Sequence, residues 1–348
     1  MNEKFHGWAA TQSGQALSEF EFDPGAMRPE QVQVKVESCG ICHSDLSMLD
    51  NDWGNSSYPL VPGHEVVGVI ETMGDQVKGL AIGDRVGLGW FAGSCMSCHP
   101  CMSGHHNLCA KGEQTIVGRH GGFADRVRAD WEWAIKLPAS LDPANAGPLF
   151  CGGITVFGPI NDFGVKPTDR VGVIGIGGLG HLALQFLNKW GCEVTAFTSS
   201  ESKADEARKL GAHHVVGTRD KAALGKLAGS FDFILVTANV ALDWDLFIAA
   251  LAPDQMMPLP LTISGRWAAA RASRMASTMA RLNSELSELR DSGLLSVSRQ
   301  IWFSILIFRM SWFGMGWAFP KMARAMIESF NVSGNDGRCS FSYFSGWN

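Results

Sequence analysis

The chain has 348 residues, a length that predicts about two domains. With 46% hydrophobic and 18% charged residues it can bury sizeable cores, so its composition excludes an intrinsically disordered protein. The net charge of -5 argues against nucleic acid as the main partner. No apolar stretch of the kind found in secretory signals follows Lys4, so we expect a cytoplasmic protein.

Short β-rich runs dominate the first part of the chain. Residues 32–36 alternate apolar and polar side chains, which is the pattern of a half-buried strand. Similar runs follow at residues 65–70, 84–88 and 123–127, separated by glycines and turn residues. We therefore predict a compact, mostly β domain over residues 1–152.

A thiol, an imidazole, a hydroxyl and a carboxylate occupy four consecutive positions, from Cys42 to Asp45. His64 and Cys151 follow further along the chain. One Cys, one His and one Cys form the ligand set of a catalytic zinc whose fourth position is open to water or substrate. The alternative is that the three residues are unrelated, because buried free cysteines often behave as small apolar side chains.

A second group of cysteines lies in a lobe at about residues 93–110. Four thiolates at these spacings can close a tetrahedral cage around Zn²⁺ and leave no position for a substrate, which predicts a structural zinc. An iron–sulfur cluster or a redox pair is the alternative. The predicted ligands are Cys95, Cys98, Cys101 and Cys109. His99, His105 and His106 lie nearby and are interpreted as surface loop residues.

A glycine-rich turn marks a second region of the chain, in which the sequence pattern changes. The buried-strand pattern that begins at Asp169 leads into it, and a helical stretch at residues 181–190 and a strand at 193–197 follow. This βαβ context is what a dinucleotide-binding fingerprint requires, since the turn lets backbone amides approach a pyrophosphate. The fingerprint residues are Gly175, Gly177, Gly178, Leu179 and Gly180.

Further alternating elements extend this second region. Strands are predicted at residues 214–216 and 231–236, and a helix at residues 244–251. Alternating strands and helices predict an α/β fold with a parallel, doubly wound sheet.

The end of the second strand of this region indicates the cofactor. An NAD site has an acidic residue here, whereas this chain has hydroxyl side chains and a lysine, which suit a 2′-phosphate. We therefore predict NADP(H), with Glu201 as the one carboxylate that argues otherwise. The serines also suit the cap of the helix that starts near Lys203. The predicted contacts are Thr198, Ser199, Ser200 and Lys203.

These motifs occur in the same order as in zinc-dependent medium-chain alcohol dehydrogenases, and they resemble the cinnamyl alcohol dehydrogenase group of NADP-dependent aldehyde reductases. The resemblance covers about residues 5–253. It implies a GroES-like catalytic domain over residues 1–152, a Rossmann domain over residues 153–253 and usually a homodimer. The implied reaction is hydride transfer between NADP(H) and an alcohol/aldehyde pair, with two zinc ions per chain.

The resemblance also implies roles for single residues. Ser44 becomes the first proton donor, and His43 becomes a relay or a cofactor contact. Asp45 and Glu65 become groups that support the metal ligands, and Thr155 becomes a neighbour of the nicotinamide. Trp53 and Phe91 match positions that line the substrate pocket, although an aromatic residue at either position also suits an ordinary core.

The resemblance stops at Pro253, after which we expect no further strand of the Rossmann sheet. Residues 254–348 contain nine arginines and one lysine, against eight arginines and eleven lysines before them. Residues 266–290 resemble a helix, and the apolar residues 301–319 are interpreted as a buried or misplaced segment rather than a membrane span, because Arg309 lies in their middle.

Our hypothesis is that this tail, residues 254–348, arose by a frame change or a rearrangement. A catalytically impaired zinc-binding homologue is therefore an alternative function, since the tail lacks the segments that complete both domains in the family. An NAD-dependent polyol or formaldehyde-type dehydrogenase is the other alternative. It is disfavoured because Thr198 stands where an NAD enzyme has an acid.

Overall fold

The computed structural model describes residues 3–238, 240, 242–260 and 267–271. Most of the tail, including residues 301–319, lies outside these ranges. Among the described residues, no helix combines the length and the apolar character that a bilayer-spanning segment needs.

The first part of the chain is a β-rich unit built on a five-stranded antiparallel sheet with strand order β8-β3-β4-β5-β9. Strand pairs β1–β2 and β6–β7 add two small antiparallel sheets. Valines and other apolar residues on one side of the large sheet form its core, as the alternating patterns predict. The strands are β1 (Phe5–Ala9), β2 (Ser18–Phe22), β3 (Gln31–Gly40), β4 (Glu65–Met73), β5 (Arg85–Leu88), β6 (Phe91–Gly93), β7 (Glu113–Gln114), β8 (Arg126–Asp130) and β9 (Ile135–Lys136). Two helices belong to this unit, α1 (His43–Asp50) and α2 (His99–Met102).

The second part is a six-stranded sheet with strand order β12-β11-β10-β13-β14-β15. Its first five members are parallel and carry helices between them, and β15 is antiparallel to β14. Reading β10 as the first strand gives the order 3-2-1-4-5, which is that of a Rossmann sheet. The strands are β10 (Arg170–Ile174), β11 (Glu193–Thr198), β12 (His214–Gly217), β13 (Phe231–Val236), β14 (Leu251–Pro260) and β15 (Trp267–Arg271). The helices are α3 (Gly152–Asp162), α4 (Gly178–Trp190), α5 (Ala204–Lys209), α6 (Lys221–Gly225) and α7 (Trp244–Ala250).

Both faces of the parallel sheet are covered. Val171 and Val173 of β10 pack with α3 and α4 on one face, while Ile174 packs with β13 and α7 residues on the other. Strands buried on both faces read as continuous apolar runs, which is why the sequence pattern located them well. The end of β10 positions the glycine-rich turn.

Three predicted elements need correction. The strand expected at residues 123–127 lies at Arg126–Asp130, although Ala124 still forms a β-bridge with Gly7. Trp267–Arg271 form a strand where we predicted the start of a helix, and the rest of the predicted helix lies outside the described residues.

The third correction concerns residues 251–260. They form β14, which pairs with β13 in parallel, whereas we expected no such strand beyond Pro253. Prolines argue against a central strand because they cannot donate to the ladder. Here Pro258 and Pro260 lie beyond the pairing with β13, in the part of β14 that pairs with β15.

Candidate active site and metal centres

Helix α1 positions the first part of the candidate active site. Cys42 immediately precedes the helix, and its backbone amide donates to Asp45 Oδ2 at 3.0 Å. An aspartate in the first turn of a helix favours this arrangement, because it accepts from amides that have no partner inside the helix. The segment from Cys42 to Asp45 is therefore a helix start that also carries chemistry.

His64 is fully buried at the point where the chain enters β4. Its Nδ1 lies 2.9 Å from Asp45 Oδ1, which also accepts from the Gly63 amide at 2.9 Å. A ring nitrogen that donates to a carboxylate leaves the other nitrogen free as a metal ligand. That nitrogen, Nε2, lies 3.2 Å from Cys151 Sγ.

Cys151 completes the group at the start of α3. Its Sγ lies 3.7 Å from Cys42 Sγ, although the two residues are 109 positions apart. Tetrahedral zinc with bonds of about 2.0–2.3 Å separates two sulfurs by about 3.8 Å and a sulfur from a nitrogen by about 3.6 Å. The donor set and its spacing therefore fit a zinc ion held by Cys42, His64 and Cys151.

Glu65, predicted to support the metal ligands, lies close enough to be a ligand itself. One of its carboxylate oxygens belongs to the group of ligand atoms that all lie within 4.8 Å of one another, together with those of Cys42, His64 and Cys151. Strand pairing sets Glu65 opposite Gly40, and a Cβ on Gly40 would lie 2.0 Å from Glu65 Oε2. The missing side chain at Gly40 thus leaves the space that the carboxylate fills.

The charges of this group depend on one another. The hydrogen bond with Cys151, and further contacts with His64, lower the pKa of Cys42 to about 4 against the effect of burial. Burial favours neutral His64, but hydrogen bonds with Asp45 and Cys42 raise its pKa to about 10. Burial and the nearby Cys42 thiolate raise the pKa of Glu65 to about 8.

The four cysteines of the lobe form the second group. Their sulfurs all lie within 4.8 Å of one another, with Cys98 Sγ 3.4 Å from Cys101 Sγ and Cys95 Sγ 4.0 Å from Cys101 Sγ. Hydrogen bonds from the amides of Ser97 and Cys98 lower the pKa of Cys95 to about 5. Four sulfurs this close together leave no position for a substrate and fit a structural zinc held by Cys95, Cys98, Cys101 and Cys109.

An aromatic wall stands beside His64, and it includes a residue that we did not predict. The Trp90 ring lies edge-on to His64, with centroids 5.0 Å apart, and the Trp53 ring lies 5.7 Å from Trp90. Phe91, predicted to line the pocket, instead packs against Trp133 at 5.3 Å in the core of the β-rich unit. Trp90 lies at a bend between β5 and β6, and its ring lies against His64 while the ring of Phe91 lies in the core.

The glycine-rich turn joins β10 to α4. Gly175 has φ of 90°, and a Cβ on Gly180 would lie 1.9 Å from Gly175 O, so both positions require glycine. Added Cβ atoms at Gly177 or Gly178 would meet nothing within 4 Å among the described residues. The outer side of the turn, up to Leu179 in the first turn of α4, is therefore open to a pyrophosphate.

The end of β11 lies next to this turn. Thr198 is buried, and its Oγ1 accepts from the Ser200 amide at 3.2 Å, while Ser199 is exposed. Lys203, which is predicted to contact the 2′-phosphate, also contacts the glycine-rich turn. Its Nζ donates to Ile176 O at 3.2 Å. Lys203 thus contacts the turn, while the Thr198 hydroxyl bonds to the Ser200 backbone at the end of β11.

The remaining predicted residues lie near the Cys42, His64 and Cys151 group. Exposed His43 and half-buried Ser44 are the first residues of α1, directly after Cys42. The Thr155 amide donates to Cys151 O at 2.9 Å, one helical turn away. Their positions suit the implied roles, which stay predictions.

Two family models match the chain. Residues 28–139 match the alcohol dehydrogenase GroES-like domain, and residues 178–259 match the zinc-binding dehydrogenase model. The second match ends close to the end of β14.

The chain is also similar to characterised relatives and solved structures. It is 57% identical to aldehyde reductase AdhA of Synechocystis sp. over 247 residues, which are 71% of this chain and 74% of that protein. It is 40% identical to cinnamyl alcohol dehydrogenase 7 of Arabidopsis thaliana over 69% of this chain and 70% of the relative. The structure of cinnamyl alcohol dehydrogenase SbCAD4 from Sorghum bicolor matches with a TM-score of 0.70 and 37% identity, over 73% of this chain and 75% of that one. The structure of CAD from Helicobacter pylori, complexed with NADP(H), matches with a TM-score of 0.66 and 28% identity, over 74% of this chain and 75% of that one.

Proposed function

Because the chain belongs to the zinc-dependent medium-chain alcohol dehydrogenases, in their group of cinnamyl alcohol dehydrogenase-like aldehyde reductases, we propose that it reduces aldehydes with NADPH in preference to NADH. The observation that carries this proposal is the convergence of Cys42, His64 and Cys151, which are far apart in sequence, into one group of ligand atoms. The resemblance also supports a homodimer as the assembly.

A bound zinc would supply a Lewis acid for the carbonyl oxygen, and a bound reduced nicotinamide would supply the hydride. The chain's own residues prepare these two events. Cys42, His64 and Cys151 would hold the metal, and Asp45 orients the imidazole so that Nε2 faces Cys151 Sγ. Ligands that are already oriented in this way lower the cost of binding the metal.

Other residues handle the substrate and the proton. Ser44, on α1 directly beyond Cys42, donates a proton to the product oxygen, and His43 passes one on from solvent. Thr155 supports the nicotinamide from α3. Trp53 and Trp90 form an apolar wall that excludes water beside His64 and presents flat surfaces to a small or aromatic aldehyde.

The preference for NADPH rests on the end of β11. A carboxylate there would repel a 2′-phosphate, whereas Thr198, Ser199 and Ser200 offer hydroxyls and Lys203 offers a positive charge. The NADP(H) complex of the similar Helicobacter pylori protein supports the same cofactor here.

The test is the ratio of kcat/KM for NADPH to that for NADH, measured with one aldehyde in the wild-type chain and in Ser199→Asp. Ser199→Asn is the matched control, because it has the same size without the charge. We expect NADPH to be favoured and Ser199→Asp to weaken NADPH by at least about tenfold, with little change for NADH. A wild-type chain that uses NADH at least as well as NADPH would refute the cofactor proposal.

A further inference from the structure

Thr237, directly after β13, forms hydrogen bonds with the residues that begin the glycine-rich turn. Its backbone amide donates to Ile174 O at 2.9 Å. Its hydroxyl lies 2.6 Å from Gly175 O and 3.0 Å from Ile174 O, so it donates chiefly to Gly175 O. No sequence motif singled out this residue.

The contact fixes the direction of one peptide group. In a planar trans peptide the C=O and the following N–H point in opposite directions. When the Gly175 carbonyl points at Thr237, the Ile176 N–H points away from β13. Lys203 does the same for the next peptide, because it binds Ile176 O and so directs the Gly177 N–H to the other side.

The packing around the turn makes the direction of the Gly175 carbonyl depend on the Thr237 hydroxyl. Gly180 of α4 lies so close to Gly175 O that a Cβ would come within 1.9 Å of that oxygen and 3.1 Å of Thr237 Oγ1. The Gly175 carbonyl is thus enclosed between the helix and the threonine. If the hydroxyl is lost, this half-buried carbonyl loses the donor that faces it, and a change in its direction also turns the Ile176 amide.

We propose that Thr237 is a positioning residue for the dinucleotide cofactor: its hydroxyl fixes the Gly175–Ile176 peptide and thereby the shape of the glycine-rich turn whose exposed side faces the pyrophosphate. This inference rests on the proposed binding of NADP(H) at the turn. It assigns to the end of β13 a part in cofactor affinity that does not depend on whether the nucleotide carries a 2′-phosphate.

The test measures dissociation constants of NADPH, NADH and 2′-AMP for the zinc-loaded chain by titration calorimetry. Thr237→Val removes the hydroxyl with the shape kept, and Thr237→Ser keeps the hydroxyl. Thr195→Val is the matched control, because it removes a hydroxyl from a buried threonine in β11 of the same sheet. Zinc content is measured for every variant to show that the β-rich unit is intact.

We expect Thr237→Val to weaken NADPH and NADH by the same factor, on the order of five- to tenfold, which corresponds to one hydrogen bond. 2′-AMP, which has no pyrophosphate, binds Thr237→Val as it binds the wild type. Thr237→Ser restores dinucleotide affinity, and Thr195→Val leaves it unchanged.

Wild-type affinity for both dinucleotides in Thr237→Val overturns the inference and leaves the proposed function standing. Equal weakening in Thr195→Val, or equal weakening of 2′-AMP, also overturns it, because the effect is then a general loosening of the sheet. A wild-type chain that binds neither dinucleotide removes the cofactor assignment and this inference together.

Discussion

Asp45 connects the candidate zinc ligands through both of its carboxylate oxygens. Oδ2 accepts from the Cys42 amide, while Oδ1 pairs with His64 Nδ1 and accepts from the Gly63 amide. A single buried carboxylate thus sets the distance between two ligands that are distant in sequence. This is the kind of support that metal sites use to orient imidazole ligands.

Gly40 should matter to this site because its missing side chain leaves the space that the Glu65 carboxylate fills. In Gly40→Ala the new Cβ would overlap Glu65 Oε2, so the carboxylate must leave the ligand group. We expect the variant to lose about 1–3 kcal/mol of stability through overpacking and to bind the catalytic zinc more weakly. Gly225→Ala is the control, since nothing described lies within 4 Å of the added Cβ there.

Metal content and urea unfolding of the two variants check this expectation. Unchanged zinc occupancy and stability in Gly40→Ala would show that the Glu65 carboxylate is free to move elsewhere without consequence.

Residue types and motifs were sufficient to select the candidate ligands, because Cys and His in this combination have few other uses. They were not sufficient for the pocket wall. Val66 pairs with Leu88 in the antiparallel sheet, and continuing that register sets Trp90 opposite His64. Register depends on the folded sheet, so sequence reasoning chose the adjacent Phe91 instead.

At the scale of elements, apolar runs located the parallel strands almost to the residue, as with Phe231–Val236. Strand β14 was missed for a physical reason. Prolines lack the amide that a central strand donates, yet Pro258 and Pro260 lie where β14 pairs with β15, and Pro253 lies at the irregularity in its pairing with β13. Sequence alone does not show which part of a strand has two neighbours.

The four-cysteine lobe is a separate element with its own attachment to the sheet. Glu113, just after the lobe, accepts from Arg28 at 2.9 Å and from Arg119, and Arg28 also binds Asp130 of β8 at 2.5 Å. These half-buried ion pairs hold the base of the lobe independently of any metal. A zinc ion held by the four cysteines would fix the loop that the ion pairs do not reach.

Substitution of a ligand in one metal group should therefore leave the other group able to bind zinc. Cys98→Ser should retain one zinc and lose on the order of 3 kcal/mol of stability, because thiolate coordination fixes the lobe. Cys42→Ser should also retain one zinc but lose turnover. Metal analysis with urea unfolding of both variants distinguishes these outcomes, and equal destabilisation of the two would contradict separate roles.

The ion pair between β10 and β13 gives a pH-dependent expectation. Burial opposes ionisation of Asp232, but hydrogen bonds from the side chain and amide of Arg170 lower its pKa below 3.8. A lowered pKa stabilises the folded state above the unfolded value of 3.8, and this contribution is lost as pH falls through the folded value.

Asp232→Asn should thus lower the free energy of unfolding by about 0.5 kcal/mol near neutral pH, since Arg170 is half exposed. The difference from wild type should stay constant down to about pH 4 and shrink below it. Unfolding curves measured from pH 7 to pH 3 check this. A difference that grows in acid would show that the pair does not act as described.

At the scale of the molecule, the sheet departs from the family pattern at its far edge. Five parallel strands follow the Rossmann order, but β15 beside β14 is antiparallel. The zinc-binding dehydrogenase model matches up to residue 259, and the composition changes in the same region. Our hypothesis that the tail is not the family's own C-terminus rests on these observations.

We therefore predict that replacing residues 261–348 with the corresponding segment of a family member raises solubility and aldehyde reductase activity. The nicotinamide lies where the halves of a doubly wound sheet meet, so a complete second half supports it, and a paired edge resists aggregation. Soluble yield and kcat of the two proteins provide the comparison. A parent chain that is fully soluble and as fast as the chimera would show that its own tail completes the fold.

The most direct test of the whole account is aldehyde-dependent NADPH oxidation by the zinc-loaded chain, measured beside Cys42→Ser. We predict oxidation in the parent and none above background in the variant, which still holds the zinc of the four-cysteine lobe. Equal rates in the two proteins, or no oxidation by a soluble parent that holds two zinc ions, would contradict the assignment of Cys42, His64 and Cys151 as the centre of an aldehyde reductase.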